Sequence, residues 1–298
     1  MKTNMFSIIV VTRNRASALQ ECLLSVLEQS YVDLELVIVD NASDDASIKV
    51  IETFKDHLDI KLIRNGQAFS PAKARNQAVA LATGKYIVFL DSDAVILSRG
   101  IFPAILRLMD GKGSIGGLSG KIYYWNRDRI QHLGLYLRSW DGTMDLLADR
   151  KNLFAKRQIN DSDYLSTCFA VVPKRVLDQV GQFDEYYEWL HEDLDIFYRI
   201  KQAGYELIVE PKLEIAHRPS SEGRYYINAP IKIDWLLLNR REMRNRIYFI
   251  IKNYSLRRKI IFLGKLFCQM LSHVRYFICS LAWFIYHLFR IKRGKKSV

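Results

Sequence analysis

Residues 84–95 read GKYIVFLDSDAV, and the rest of the chain is best read outward from them. Tyr86–Leu90 is a short, continuous apolar run, the pattern of a strand buried on both faces. It stops on two acids one residue apart, Asp91 and Asp93. Carboxylates are rarely buried unless they are paired or bind a metal. The pair therefore reads as a solvated turn, where Asp and Ser are common, or as a cation site. Hard divalent ions take carboxylate oxygens, and Mg²⁺ usually adds substrate phosphates. Alternate residues of an extended segment also point the same way, as such a site needs.

Three strand–helix units precede this strand. Phe6–Val11 (FSIIVV) and Leu34–Val39 (LELVIV) are apolar throughout, and Ile60–Ile63 is a weaker third strand. Leu19, Cys22, Leu23, Val26 and Leu27 share one face of a first helix, and a second starts near Asp45. Ser70-Pro71 reads as a cap and first position of a third helix running through Ala82. This alternation predicts βαβ units, a parallel sheet and the α/β class. Ligands of such sheets bind beyond the carboxyl ends of the strands. Those ends carry Thr12-Arg13-Asn14, then Asp40-Asn41-Ala42-Ser43, then Asp91-Ser92-Asp93. No G-x-G-x-x-G follows the first strand and no Walker A sequence occurs, which weighs against dinucleotide and P-loop sites.

Downstream, residues 111–160 read as loops and a few strands. Tyr164–Val172 reads as a strand, Pro173–Val180 as a helix stopped at Gly181, and a further helix runs from near Glu192 to Gly204. Leu207–Glu210 and Leu213–Ala216 read as two short strands, the second delivering His217. Several polar residues have structural readings as well as chemical ones. Ser43 or Asp44 can cap the second helix, and Asp40 can equally bond a ribose or a base edge. Glu192 and Asp193 complement a helix dipole, with Asp195 and Arg199 an i,i+4 pair. A carboxylate there, or His191, can equally serve as a general base. His217 is either a satisfied surface histidine or a ligand.

The composition, 49% hydrophobic and 26% charged over 298 residues, is that of a globular chain. Its +12 net charge is local. Residues 240–298 hold fifteen Lys/Arg against Glu242 alone, a net +14 that leaves −2 for residues 1–239. Four cysteines without a CxxC pair argue against a disulfide framework or structural zinc and fit a reducing compartment. Phe6–Val11 is too short for a signal peptide. In the basic tail the longest uncharged run, Tyr276–Phe289, has 14 residues, fewer than the roughly 20 a membrane-spanning helix needs. Interleaved Trp, Tyr, Phe, Lys and Arg suit helices lying in a lipid interface against anionic headgroups. An ordinary helix pair packed on the body is the alternative, and nucleic acid is disfavoured because large apolar side chains interrupt the basic face.

The segments SIIVVTRNR, LELVIVDNASDDAS, AKARNQAVALATGKYIVFLDSDAV and FDEYYEWLHEDLDIFYRIKQAGY together resemble family 2 inverting glycosyltransferases of the GT-A fold, in their bacterial rhamnosyltransferase-like branch. The resemblance spans residues 5–220. It lacks the Q-x-x-R-W motif of processive synthases, and RNGQAFSPAKAR departs from the usual glycine-spaced loop. It implies a mostly parallel, Rossmann-like sheet flanked by helices in residues 1–223, with a nucleotide-sugar half (1–110) and an acceptor half (111–223). Residues 224–298 would form a helical extension. Thr12, Arg13, Asn14, Asp40, Asn41 and Arg75 would hold the donor, with Glu192 and His191 beside it. Asp91, Asp93 and His217 would hold Mn²⁺ or Mg²⁺ on the diphosphate, and Asp193 would be the base. The implied reaction moves a sugar from a UDP- or dTDP-linked donor to a hydroxyl of a saccharide or lipid-linked acceptor in cell-surface polysaccharide synthesis. The implied location is the cytoplasmic face of the cell membrane, held there peripherally. Two other readings remain: a dehalogenase-type phosphatase, whose motif D-x-D-x-V after an apolar strand resembles, and an inactive sugar-nucleotide-binding protein.

Overall fold

The computed structural model describes residues 5–137, 144–146, 162–218, 235–261 and 264. The expected boundary at 223/224 and the run Tyr276–Phe289 lie outside them. The amino-terminal half follows the expected alternation: β1 (Phe6–Thr12), α1 (Ala16–Leu27), β2 (Leu34–Asp40), α2 (Ser47–Phe54), β3 (Ile60–Arg64), α3 (Pro71–Leu81) and β4 (Tyr86–Leu90). β2 and β4 are buried along their whole length, as apolar runs covered on both faces must be. Ser70 caps α3 by accepting from the Lys73 N–H, with Pro71 at the first helical position. Gly84 is required where the chain enters β4, because a Cβ there would lie 2.5 Å from the Ser7 nitrogen.

Beyond β4 come β5 (Ala94–Ile96), α4 (Ile101–Met109), β6 (Ile115–Tyr124), β7 (Ile130–His132), β8 (Leu135–Leu137), β9 (Met144–Leu146) and β10 (Phe169–Pro173). They are followed by α5 (Lys174–Val180), α6 (Glu192–Gln202), β11 (Glu206–His217) and α7 (Trp235–Asn253). The main sheet has nine strands in the order β3-β2-β1-β4-β10-β6-β11-β5, with β7 beside β6. The first four are mutually parallel, while β10 is antiparallel to both its neighbours, so the sheet is mixed in its second half. The chain divides into two compact units, 1–137 with 144–246 and 138–143 with 247–298. The first contains the main sheet. In the second, Phe249 and Tyr254 pack edge to face with ring centroids 5.8 Å apart.

Within residues 111–160, read as loops and a few strands, Ile115–Tyr124 forms a ten-residue strand in the middle of the sheet. Gly120 in it reflects crowding, since a Cβ there would lie 2.2 Å from the Leu213 carbonyl oxygen. Two expectations need correction. The strand expected over Tyr164–Val172 begins only at Phe169: its N–H bonds the Ser166 carbonyl at 3.2 Å, so a turn directly precedes β10 (Phe169–Pro173). Leu207–Glu210 and Leu213–Ala216 are one strand, β11, bulged between Glu210 and Glu214 where Pro211 lacks an N–H.

Candidate active site

The carboxyl ends of β1, β2 and β4 open onto a cleft of about 440 Å³. Thr12, Arg13, Asn41, Arg75, Asp91, Asp93, Glu192, Asp193 and His217 line it, as do Arg15, Cys168 and Trp189. Asn14, Asp40 and His191 are not among its lining residues.

Asp91–Asp93 is a turn, one of the two readings of the pair: the Ala94 N–H donates to the Asp91 carbonyl at 2.9 Å before β5 begins. Turn and convergence are therefore compatible. The Nε2 of His217, at the end of β11, stands 3.3 Å from Asp93 Oδ1 and 3.9 Å from Asp91 Oδ2. Its Nδ1 lies 2.9 Å from Gln131 Oε1. An amide oxygen only accepts, so Nδ1 carries the proton and Nε2 turns its lone pair toward the two acids. Lone pairs crowded in this way suit a shared divalent cation, and the two carboxylates supply the oxygen donors that Mn²⁺ and Mg²⁺ take. Arg15 pairs with the other oxygen of Asp93.

Arg75 projects from α3 and is buried between two acids, 2.9 Å from Glu192 Oε1 and 3.4 Å from Asp91 Oδ1. Burial opposes its charge, but Glu192, Asp91 and Asp193 outweigh that and hold its pKa above the ordinary value. Arg75 thus ties the acid turn to the start of α6, 117 residues away for Glu192.

Asp193 is the second residue of α6. Its Oδ2 accepts from Tyr164 Oη at 2.5 Å and its Oδ1 from the Leu194 N–H at 2.9 Å. Burial, followed by the neighbouring Glu192 charge, lifts its pKa to about 7, against the lowering effects of Tyr164 and Arg75. Leu190 and His191 enter the helix in the left-handed region, φ 68° and 71°, which non-glycine residues rarely adopt. Asn245 of α7, fully buried, holds this corner by donating to the Trp189 and Leu190 carbonyls at 2.8 and 2.9 Å. Burial, with Arg246 nearby, lowers the His191 pKa to about 4. Asp195 and Arg199 form the expected pair at 2.9 Å.

At the ends of β1 and β2, Thr12 Oγ1 and Asp40 Oδ1 are buried with no hydrogen-bond partner among the described residues. Thr12 and Asp40 are paired neighbours in the sheet. Asn41 is committed elsewhere: its amide bonds the Phe69 carbonyl and N–H, at 2.8 and 3.0 Å, and so holds the loop before α3. Asn14 likewise ties the first two loops together, donating its N–H to Ser43 Oγ and accepting from the Asp44 N–H. Neither Ser43 nor Asp44 caps α2. Asp45 instead takes the Ser47 N–H at 2.9 Å, together with that of Ala16.

Tyr164, Arg15, Gln131 and Cys168 were not singled out from sequence. Arg15 follows directly on Thr12-Arg13-Asn14 and could have been added to that cluster. No sequence signal marks the other three: Cys168 lines the cleft, while Tyr164 and Gln131 bond the cleft residues Asp193 and His217.

Residues 7–181 match the family described as Glycosyl transferase family 2. The chain is 26% identical over 94% of its length to the amylovoran biosynthesis glycosyltransferase AmsB of Erwinia amylovora, spanning 92% of that protein. It is 34% identical over 44% of its length to the UDP-Glc:alpha-D-GlcNAc-diphosphoundecaprenol beta-1,3-glucosyltransferase WfgD of Escherichia coli, spanning 50% of it. An uncharacterized protein, y4gI of Sinorhizobium fredii, is 25% identical over 74% of this chain, which spans only 25% of that protein. Among solved structures, the mannosyltransferase PcManGT of Pyrobaculum calidifontis, in complex with GDP-Man and Mn²⁺, superposes with a TM-score of 0.58 at 20% identity. That superposition covers 83% of this chain and 63% of the other, and it bears on the fold alone. The shared fold is GT-A.

Proposed function

Because the chain belongs to glycosyl transferase family 2, we propose that it moves a sugar from a UDP- or dTDP-linked donor to a hydroxyl of a saccharide or lipid-linked acceptor in cell-surface polysaccharide synthesis. One observation carries this reading: Asp91, Asp93, His217, Arg75 and Asp193, from separate elements, converge on a single cleft. The names of AmsB and WfgD, one in polysaccharide synthesis and one acting on a diphosphoundecaprenol acceptor, support the acceptor class.

Thr12 takes the nucleoside, which would satisfy its orphaned oxygen; Asp40, its neighbour in the sheet, stands behind it without lining the cleft. Arg13 flanks it from the rim, while Asn14 and Asn41 shape the loops around it. Asp91, Asp93 and His217 hold Mn²⁺ or Mg²⁺; when bound, that ion neutralises charge on the leaving diphosphate. Arg75, wedged between Asp91 and Glu192, adds fixed positive charge on the same side.

Asp193 accepts the proton of the acceptor hydroxyl. A pKa of about 7 makes it a base matched to neutral pH. Tyr164 fixes the orientation of the carboxylate, and each carboxylate oxygen retains a lone pair for the acceptor. The acceptor oxygen then bonds the anomeric carbon as the bond from that carbon to the diphosphate oxygen breaks. One displacement without a covalent sugar–enzyme intermediate inverts the anomeric configuration. The basic residues 240–298 would keep the enzyme peripherally at an anionic, cytoplasm-facing membrane, where a lipid-linked acceptor is found. Among the described residues no helix is long and apolar enough to cross a membrane.

The test is a thermal-shift screen of nucleoside-diphosphate sugars with Mn²⁺, followed by transfer to undecaprenyl-diphosphate-linked saccharides. A Mn²⁺-dependent shift with one donor class, and turnover with inversion, is expected. Hydrolysis of phosphomonoesters with no donor binding would overturn the reading. Flotation with vesicles containing anionic lipid, but not with neutral ones, is expected for the full chain.

A further inference from the structure

Cys168 stands directly before β10 and beside the acid turn. The Asp91 N–H donates to the Cys168 carbonyl at 3.0 Å, one step beyond the antiparallel pair Leu90 and Phe169. Residues opposite one another in such a ladder share a face, with Cβ atoms about 4.5–5.5 Å apart. The thiol accordingly projects where the Asp91 carboxylate does. A ligand atom each from Asp91, Cys168 and His217 lies within 4.8 Å of the others. Four-coordinate zinc, with bonds of about 2.0–2.3 Å, sets its ligands about 3.5 Å apart, so binding would draw these three atoms closer together.

We propose that Asp91, Cys168 and His217 form a site for a thiophilic divalent cation of the Zn²⁺ class, built on the same two residues that serve Mn²⁺ or Mg²⁺ with Asp93. The sulfur makes the difference. Carboxylate donors alone favour Mg²⁺ and Mn²⁺, whereas imidazole with thiolate favours Zn²⁺ and its relatives. His217 is ready for either role, since Gln131 holds its Nδ1 and leaves Nε2 facing the cleft. Cys168 is buried yet is among the residues that line the cleft. On binding, the thiol gives its proton to solvent and the thiolate bonds the cation; no oxidant or reductant takes part.

Cation binding of this kind does not depend on the transferase reading, and its test contains no turnover step. Metal-free full-length protein is titrated with Co²⁺ and followed by absorbance. The expected result is a thiolate-to-cobalt charge-transfer band, retained in Cys22→Ser and lost in Cys168→Ser. Competition with Zn²⁺ should show affinity falling by more than about tenfold in Cys168→Ser and in His217→Ala. Co²⁺ binding without the band, or a band that survives Cys168→Ser, overturns the proposal. Should Cys168→Ser fail to fold, the variant Cys22→Ala/Cys268→Ser/Cys279→Ser keeps Cys168 as the sole thiol of the four. X-ray absorption of its zinc complex should then show one sulfur at about 2.3 Å. A shell of nitrogen and oxygen alone overturns the proposal.

Discussion

Tyr164 Oη donates a 2.5 Å hydrogen bond to Asp193 Oδ2, joining an irregular segment before β10 to the first turn of α6. The bond stabilises the ionised carboxylate, while burial and Glu192 work against it. On balance the surroundings of Asp193 favour its protonated form.

Asp193→Asn should lower kcat about 10²–10⁴-fold with donor affinity retained. Because folding raises this pKa from 3.8 to about 7, the folded state favours the protonated acid. Its stabilising effect is complete below pH 3.8 and is lost as pH rises through about 7. The Asn variant should thus melt higher than the parent at pH 8, with the gap closing toward pH 4. Tyr164→Phe removes a lowering influence, so the acidic limb of its kcat/KM profile should move above the parent's. An unmoved limb would show that Tyr164 serves packing alone.

Asp93→Ala should weaken Mn²⁺-dependent donor binding by more than about tenfold. It also releases Arg15 from its partner, so metal-independent nucleotide binding should change little or rise. Calorimetry with and without Mn²⁺ separates the two contributions.

Arg75→Ala leaves Glu192 and Asp91 facing one another without their shared cation. Removing one partner of a buried ion pair costs about 3–5 kcal/mol. Urea unfolding should show that loss, and Arg75→Ala/Glu192→Gln should recover part of it. Purely additive losses would mean the pair is not coupled.

Asn245→Ala should loosen the left-handed corner that presents Asp193, leaving two carbonyls without their donor. An unmade buried hydrogen bond costs about 1–3 kcal/mol. The kinetic mark should be a fall in kcat larger than any rise in donor KM, since donor contacts lie elsewhere in the cleft.

Glu35 offers a stability test remote from the cleft. It takes hydrogen bonds from Ser7 Oγ at 2.5 Å and from the Thr83 N–H at 2.6 Å, with Lys61 2.6 Å from its other oxygen. Burial alone would raise its pKa, but Lys61, Ser7 and Thr83 bring it from 4.5 to about 2. Glu35→Gln should cost about 2–3 kcal/mol at neutral pH. A lowered pKa stabilises fully above 4.5 and is lost as pH falls toward about 2, so the two melting curves should converge there.

The amino-terminal half of the fold was legible in the sequence because its signals are local. Apolar runs such as Tyr86–Leu90, the Ser70-Pro71 cap and intervening helical faces each lie within one element. The acid turn, Asp193 and His217 were legible as residue types in a recurring order. Where the strands lie within residues 111–160 was not legible, because glycines that let strands approach closely, such as Gly120, look in sequence like glycines that let a loop turn, such as Gly111. The turn from Ser166 to Phe169 starts β10 later than the apolar pattern from Tyr164 suggests.

By itself the sequence determined which strand ends carry polar chemistry, since that depends only on where an apolar run stops. Tertiary structure alone decided how those ends act together. Arg75 meets Glu192 across 117 residues, Tyr164 meets Asp193 across 29, and Cys168 falls into register with Asp91. Each juxtaposition arises from closing long loops onto a mixed sheet, and the pKa of Asp193 follows from the burial and charge they bring together.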